Sequence, residues 1–170
     1  MKQLFLLRHA KSSWEDRGTT DHDRPLAPRG RRAAKLIAEH LRRKGIAPAL
    51  VLCSSAQRTR ETLERIAPAL GEKVPVQIER ELYAASEHRL LKRVRAVEES
   101  VESLMLIGHN PGVEQLALSL AASGEKLAAV RRKYPTGALA TLEFAGRWRE
   151  LGSGRAELAD FVTPKQLAKR

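Results

Sequence analysis

Basic and imidazole side chains that suit a phosphoryl group directly follow the first apolar run of the chain. The run is Leu4-Phe5-Leu6-Leu7, and it is followed by Arg8, His9 and Lys11. Imidazole can act as a nucleophile or as a base, and a guanidinium can bind two phosphate oxygens at once. The alternative interpretation is a strand that ends in a basic, solvated turn, because short motifs often occur by chance.

Two further polar clusters follow apolar runs later in the chain. The run at residues 50–53 is followed by Ser54 and Arg58, and the run at residues 104–107 is followed by His109. Short runs of this kind are typical of buried strands, and parallel strands deliver their carboxyl ends to one edge of a sheet. We therefore expect two histidines and two arginines from three strands at one edge, which predicts a site for an anion.

Segments in which apolar residues have helical spacing alternate with the strands. One begins near Arg29 and is ended by Gly45 as its C-terminal cap, and another follows Ser86 as its N-cap. A third follows Asn110 as its N-cap, with Pro111 as its first residue. This alternation predicts an α/β fold, a three-layer sandwich with a largely parallel central sheet flanked by helices.

The remaining segments complete the expected organisation. Residues 12–28 contain two prolines and many charges, which predicts a long loop without regular structure. Residues 137–144 alternate like a strand, and we expect residues 148–151 to pair with them. No linker or repeat divides the chain, so we expect one domain over residues 1–170.

The composition restricts the class of protein. Cys53 is the single cysteine, which excludes an intramolecular disulfide and a cysteine-rich zinc site, and no apolar run is long enough to span a bilayer. Met1-Lys2-Gln3 leads directly into the first strand, without room for a signal peptide, so we expect a cytoplasmic protein that does not enter the membrane.

The net charge of +11 is compatible with nucleic acid, with an anionic substrate or with a generally basic surface. The basic residues are spread along the chain and aromatic residues make up only 4% of it, so a stacking platform for bases is not expected. The distribution favours solvated helix faces and predicts that nucleic acid is not a partner.

Three ordered motifs resemble the histidine phosphatase superfamily, which has the phosphoglycerate-mutase-like fold. Its Arg-His-Gly or Arg-His-Ala signature is similar to Arg8-His9-Ala10. Its Ser-Ser-x-x-x-Arg-x-x-x-Thr motif matches residues 54–62, and its second histidine after a later strand matches His109. The resemblance covers roughly residues 3–145, and the ordered set is far more specific than any single motif.

Three stretches look like the small SixA-type phosphohistidine phosphatases within that superfamily. They are Arg8-His9-Ala10-Lys11-Ser12, then Asp23-Arg24-Pro25-Leu26 with Arg29-Gly30, and Gly108-His109-Asn110-Pro111. The short length of the chain also fits this branch. The resemblance implies a metal-independent phosphatase without a cofactor, whose substrate is a phosphorylated protein carrying phosphohistidine.

The resemblance also implies roles for individual residues. His9 would be the nucleophile and would become a phosphohistidine, which water then hydrolyses. The positive clamp on the phosphoryl oxygens would consist of Arg8, Arg58 and His109, since phosphoryl transfer depends on positioning and charge. Backbone N–H groups after Asn110 could add to it.

The remaining candidates sit at the mouth of this site. Lys11 and Ser12 either contact phosphate or only line the mouth, and Arg24 is a candidate contact at the rim. In many relatives a carboxylic acid after the third strand protonates the leaving group. Glu81 stands at about that place, but it could equally be a solvated loop residue. Asp23 is the second candidate, and a phosphoramidate substrate would make a dedicated acid unnecessary.

The sequence thus predicts a phosphatase that works through a phosphohistidine intermediate on His9. Two alternatives stay open within the expected fold. One is a phosphatase for small molecules or for phosphoserine and phosphothreonine. The other is a module that binds phosphorylated ligands or nucleic acid without catalysis, whose binding would survive the loss of His9.

Overall fold

The computed structural model describes residues 1–71 and 73–169, and within these ranges seven strands form one sheet. The strands are β1 (Lys2–Arg8), β2 (Leu50–Ser54), β3 (Val76–Glu79), β4 (Ser103–Gly108), β5 (Ala121–Ser123), β6 (Leu139–Phe144) and β7 (Ala156–Val162). Their order across the sheet is β3-β2-β4-β1-β6-β7-β5. Strand β1 therefore lies at the centre, which places the residues that follow it at the middle of the sheet edge.

The sheet is largely parallel, as the sequence predicts. β1, β2, β3 and β4 pair in parallel, β6 is antiparallel to both β1 and β7, and β5 is parallel to β7. Among the described strands, β6 alone runs against the others. The register places Arg8 opposite Gly108, so β1 and β4 end side by side.

The predicted partner of the strand at residues 137–144 is wrong. Trp148–Glu150 forms a short 3-10 turn, and β7 pairs with β6 instead. The physical reason is that Trp148 is fully buried, and its indole Nε1 donates to the carbonyl of Val101 at 2.7 Å. This contact holds the segment against the loop before β4 and away from the sheet.

Helices cover both faces of the sheet and make the three-layer sandwich that the sequence predicts. They are α1 (Pro28–Lys44), α2 (Gln57–Ile66), α3 (Glu87–Arg95), α4 (Gly112–Leu120), α5 (Leu127–Arg132) and α6 (Pro164–Ala168). On β1, Leu4 and Leu6 pack into one core with α3, α4 and α5, while Phe5 and Leu7 pack into the other with α1, α2 and α6. Alternating side chains of one buried strand thus hold both layers. In the described ranges, no helix is long and apolar enough to cross a membrane.

The ends of the helices confirm two of the predicted caps and correct a third. Gly45 has a left-handed φ of 64° after α1, and Ser86 Oγ accepts from the N–H of Arg89 at 3.2 Å at the start of α3. Helix α4, however, begins at Gly112 and not at Pro111. Asn110 therefore lies one residue before the N-cap position, but its Oδ1 still accepts from the first-turn N–H of Glu114 at 3.2 Å while its Nδ2 donates to Tyr134 O at 3.0 Å.

The loop before α1 is more ordered than the sequence predicts. Ser12 and Leu26 form an antiparallel bridge, and Asp21–Asp23 form a 3-10 turn. Helix α1 presses on the start of this loop, since a Cβ at Gly30 would lie 2.0 Å from the carbonyl oxygen of Lys11. The loop is therefore fastened at its base, and the turn holds its outer part in a defined position.

Candidate active site

Three strands bring polar side chains together at the carboxyl edge of the sheet. His9 follows β1, Ser54 ends β2, and His109 follows β4. The rings of His9 and His109 lie 5.2 Å apart between centroids, and all three residues are buried. Arg58 in the first turn of α2 and Arg8 at the end of β1 complete the cluster.

The imidazole of His9 is oriented by the backbone. Its Nδ1–H donates to the carbonyl oxygen of Ala10 at 2.7 Å, and its backbone N–H donates to Gly108 O at 3.1 Å. Burial, together with the positive charges of Arg58 and Arg8, lowers the pKa of His9 from 6.5 to about 4. At neutral pH the ring is therefore uncharged, and the lone pair is on Nε2.

A threonine connects the His9 loop to helix α2. The hydroxyl of Thr62 donates to Arg58 O at 2.7 Å and accepts from the N–H of Ala10 at 3.1 Å. Because Ala10 O in turn accepts from His9, one hydroxyl links the orientation of the imidazole to the helix that carries Arg58. The threonine of the recognised motif therefore has a structural task at this site.

Ser54 fixes the second imidazole. Its hydroxyl oxygen lies 2.7 Å from His109 Nε2 and also accepts from the N–H of Ala56 at 3.3 Å. Burial and the nearby His9 and Arg58 lower the pKa of His109 from 6.5 to about 3, so the ring is neutral. If the Ser54 hydroxyl donates its proton to Nε2, Nδ1 of His109 carries the ring proton.

Three buried nitrogens at this edge have no hydrogen-bond partner in the part of the chain that the structure describes. They are Nε of Arg8, Nε of Arg58 and Nδ1 of His109. Other nitrogens of the two guanidinium groups do have partners. Arg8 Nη1 donates to Tyr134 O at 2.9 Å, and Arg58 Nη1 donates to Asp21 O at 2.7 Å. Buried polar groups are rarely left unpaired, so the cluster is suited to bind an anion with several acceptor oxygens.

Asp21 and Tyr83 belong to the site, although the sequence did not single them out. Asp21 Oδ2 accepts from Tyr83 OH at 2.5 Å and from Arg58 Nη2 at 3.2 Å, and its Oδ1 accepts from Arg24 Nε at 3.2 Å. The hydrogen bond from Tyr83, followed by Arg58 and Arg24, lowers the pKa of Asp21 from 3.8 to about 2. The same hydrogen bond raises the pKa of Tyr83. The ring of Tyr83 also meets His109 edge-on at 5.6 Å.

The structure brings Ser12 and Arg24 together beside the site. Arg24 Nη1 donates to Ser12 Oγ at 2.7 Å, and the guanidinium stacks on Trp14 with 3.4 Å between Cζ and the ring centroid. Lys11 is exposed and close to Arg8. The side chain of Asn110 is occupied by Tyr134 O and by Glu114, whose N–H donates to Asn110 Oδ1 at 3.2 Å.

The two candidate acids do not join the cluster. Glu81 is exposed in the 3-10 turn Arg80–Leu82, and its charge acts on Arg93. Asp23 is also exposed and accepts from Nδ1 of His22 at 3.1 Å. Neither makes a hydrogen bond or ion pair with His9, Arg58 or His109 in residues 1–71 and 73–169. Within the same ranges no group of three or more His, Cys, Asp or Glu residues is arranged to hold a metal ion.

The chain is similar to known proteins over most of its length. The model of the histidine phosphatase superfamily (branch 1) matches residues 4–134. An uncharacterized protein of Mycobacterium leprae is 40% identical over 166 residues, covering 94% of this chain and 100% of that protein.

Two solved structures resemble the chain over nearly its whole length. A protein of Agrobacterium tumefaciens assigned as phosphohistidine phosphatase SixA has 33% identity and a TM-score of 0.83, covering 96% of this chain and 98% of that one. Its counterpart from Nakamurella multipartitia has 31% identity and a TM-score of 0.83, covering 96% of each chain.

Proposed function

This chain belongs to the histidine phosphatase superfamily (branch 1) and is of the SixA type, and on that premise we propose that it hydrolyses phosphohistidine on proteins. Membership supports a phosphatase. The substrate, and the roles of the individual residues given below, are the content of the proposal. The observation that carries it is a neutral His9, fixed at Nδ1, in one cluster with three buried nitrogens that have no hydrogen-bond partner among the described residues.

In the proposed first step, Nε2 of His9 attacks the phosphorus atom. A nitrogen–phosphorus bond forms at Nε2 while the bond between phosphorus and the substrate nitrogen breaks. The substrate ring leaves as neutral imidazole, because its other nitrogen already carries a proton. Water then attacks the phosphorylated His9, the new bond breaks, and inorganic phosphate leaves. The donation from Nδ1 to Ala10 O supports this role, because it leaves the attacking lone pair on the other nitrogen.

The charge on the transferred group would be stabilised by Arg8, Arg58 and His109. Their unpartnered nitrogens can donate to the equatorial oxygens, where charge is concentrated in the transition state. Because all three residues are held by contacts with the protein, little reorganisation would be needed when the substrate binds. The positions of Lys11, Ser12, Arg24 and Asn110 support roles around this clamp and not at the phosphorus atom.

The leaving group is the reason why we propose phosphohistidine, and not a phosphate ester, as the substrate. An alcohol needs a proton as it departs, yet Glu81 and Asp23 are exposed and make no hydrogen bond to the described residues of the clamp. Asp21 is closer, but its pKa of about 2 keeps it ionised. The bond between phosphorus and nitrogen in phosphohistidine is labile, so this site suits a phosphoramidate better than an alkyl phosphate.

We also propose that the whole chain works as one catalytic domain. β6 and β7 extend the sheet beside β1, and Gly137 just before β6 donates its N–H to His9 O at 2.9 Å. Removing the C-terminal strands would therefore expose the edge of the strand that carries His9.

The test is a phosphoryl-trapping experiment with wild type and His9→Asn, with His88→Asn as control because His88 is exposed on α3. Each protein is mixed with a phosphohistidine-bearing protein, quenched in alkali and analysed for acid-labile phosphate on the enzyme. We expect a phosphoenzyme in wild type and in the control. In His9→Asn it should be absent, with turnover reduced on the order of a thousand-fold or more.

A parallel comparison tests the substrate. The same enzyme is given a phosphoserine peptide and 4-nitrophenyl phosphate in the presence of a chelator. We expect kcat/KM to be highest for phosphohistidine. Equal or higher kcat/KM for the phosphoserine peptide would contradict the proposed substrate, while trapping in His9→Asn would contradict the proposed nucleophile.

A further inference from the structure

A groove with a volume of about 640 Å³ lies directly beside the clamp and is lined by basic side chains. It shares one residue, Arg8, with the clamp. Among the described residues, no aspartate or glutamate lines it. Six of the residues that line this basic groove are cations: Arg8, Lys11, Arg29, Arg132, Lys133 and Lys165.

The cations of the basic groove come from separate parts of the chain. Lys11 follows β1, Arg29 lies in the first turn of α1, Arg132 ends α5, and Lys165 lies in α6. In the described part of the chain, neither these four side chains nor Lys133 makes a hydrogen bond or an ion pair. Their charges are therefore not neutralised within the protein, and the fold gathers them on one concave surface.

The surface formed by α1 and α2 shows that this arrangement is not simply a consequence of a basic chain. That surface carries five cations, but Glu39 of α1 and Glu64 of α2 lie among them. Carboxylates are thus mixed into the ordinary basic surface of the helix layer and are absent from the described lining of the groove. The cations of this comparison surface are Arg31, Arg32, Lys35, Arg42 and Arg65.

The basic groove adjoins the place where the phosphoryl group would bind, because Arg8 belongs both to the clamp and to the lining of the groove. Arg8 Nη1 donates to Tyr134 O at 2.9 Å, and Thr136 in the lining precedes Gly137, which donates to His9 O. A molecule phosphorylated at one end and bound at His9 would therefore extend into the groove. Its charge must be negative to match six cations.

The lining is better suited to carboxylates on a polypeptide than to nucleic acid. Phe161 is the one aromatic residue among the described residues of the lining, and it is only 1% exposed, so no ring is available for stacking with bases. We propose that the basic groove binds aspartate and glutamate side chains next to the phosphorylated residue of a protein substrate. This inference rests on the proposed function. It adds that the substrate sequence around the phosphorylated residue is acidic.

Binding is tested without catalysis, so that its result is independent of the proposed reaction. A short fluorescein-labelled peptide rich in Glu is titrated with the full chain at low salt, and its anisotropy is compared with that of the same peptide carrying Gln in place of Glu. The groove variant combines Arg132→Gln, Lys133→Gln and Lys165→Gln. The control combines Arg32→Gln, Lys35→Gln and Arg42→Gln, which removes the same charge from the comparison surface.

We expect the wild type and the control to bind the Glu peptide alike, and the groove variant to bind it about ten-fold more weakly or worse. Hydrolysis of 4-nitrophenyl phosphate should stay within about two-fold in both variants, because neither changes the clamp. Equal weakening in both variants, or equal binding of the Glu and Gln peptides, would overturn the proposal. So would tighter binding of a single-stranded oligonucleotide that depends on the same three groove residues.

Failure of the proposed reaction would look different. If the Glu peptide binds through the basic groove but phosphohistidine is not hydrolysed, the proposed substrate is wrong and the acidic docking site stands. If phosphohistidine is hydrolysed and the peptide does not bind, the phosphatase proposal stands and the groove proposal is wrong.

Discussion

Asp21 contacts Arg58 at two points: its carbonyl oxygen accepts from Nη1 at 2.7 Å, and its Oδ2 accepts from Nη2 at 3.2 Å. A carboxylate therefore already lies on the guanidinium that is proposed to bind the phosphoryl group. Because the pKa of Asp21 is lowered to about 2, this carboxylate is charged at every pH at which the protein would work. We expect its charge to weaken the binding of an incoming anion, while the two contacts hold Arg58 in place.

The first prediction follows from this expectation. Asp21→Asn removes the negative charge but keeps an acceptor for Tyr83, so inorganic phosphate should inhibit about three-fold more strongly. The inhibition constant is measured with 4-nitrophenyl phosphate as substrate. Asp23→Asn is the control. It removes the same charge two positions further along the chain, and the carboxylate of Asp23 contacts His22. Weaker inhibition in Asp21→Asn would show that the carboxylate positions Arg58 and does not compete.

The second prediction concerns the tautomer of His109. Ser54→Ala removes the 2.7 Å contact with Nε2, and with it the hydroxyl that we propose keeps the ring proton on Nδ1. We expect kcat to fall about ten-fold while KM changes little, because the variant weakens the hydrogen bond that His109 donates to the transition state. Ser55→Ala is a matched control, since its Oγ lies 2.8 Å from His22 Nε2 and not from His109. Similar losses in both variants would argue against this role of Ser54.

The third prediction concerns the titration of His9. Burial and the cations Arg58 and Arg8 lower its pKa to about 4, so the lone pair on Nε2 persists as the pH falls from 7 and is lost only near pH 4. Nitrogen-detected NMR of the imidazoles should show His9 neutral at pH 5.5. Arg58→Gln should raise the pKa, but only in part, because burial is the larger cause. A midpoint at the ordinary value of 6.5 in wild type would contradict this account.

The lowered pKa values of His9 and His109 also affect the stability of the folded protein. In the unfolded chain the histidines take up protons near pH 6.5, whereas folded His9 and His109 do so near pH 4 and 3. Between these values the unfolded state binds more protons, so the free energy of unfolding falls as the pH is lowered through this window.

The fourth prediction concerns the general acid for the leaving group, since neither Glu81 nor Asp23 joins the cluster. Without protonation of the leaving group, kcat/KM for a series of aryl phosphates should fall steeply as the pKa of the departing phenol rises. Glu81→Gln should leave both the rates and the slope within about two-fold, as should the control Glu87→Gln in the first turn of α3. If Glu81→Gln alone slows the poorest leaving groups about ten-fold or more, Glu81 is the general acid after all.

The fifth prediction concerns the base of the loop that carries Asp21. A methyl group at Gly30 would lie 2.0 Å from Lys11 O, so Gly30→Ala must push α1 and the loop apart. We expect a loss of about 2–3 kcal/mol in the free energy of unfolding, measured in urea. Gly152→Ala is the control, because nothing lies within 4 Å of a methyl group there, and its change should stay within about 0.5 kcal/mol.

The sequence predicts the parts of this protein that depend on local pattern. The apolar runs before Arg8, Ser54 and His109 are strands because each is buried on both faces, and their parallel pairing brings these residues together. Gly45 and Ser86 act as predicted, because a left-handed residue and a hydroxyl cap are local features.

The sequence does not predict features that depend on contacts between distant segments. The pairing of β7 with β6 was missed because a turn lies between the two strands. Trp148 holds this turn against the loop before β4 and away from the sheet. Asp21 looked like any charged loop residue, since only the 3-10 turn places it on Arg58. The basic residues looked dispersed along the chain, because the groove gathers them from separate segments of the fold.

The stacking of Arg24 on Trp14 gives the protein an intrinsic optical probe. The chain has two tryptophans, of which Trp148 is fully buried and Trp14 is 67% exposed in the loop. Arg24 contacts both the Trp14 ring, at 3.4 Å, and the carboxylate of Asp21, at 3.2 Å. We expect an anion bound at Arg58 to act on Trp14 through Asp21 and Arg24, and to leave the buried Trp148 unaffected. Emission from Trp14 in unlabelled protein should then report phosphate entry and release on the timescale of turnover.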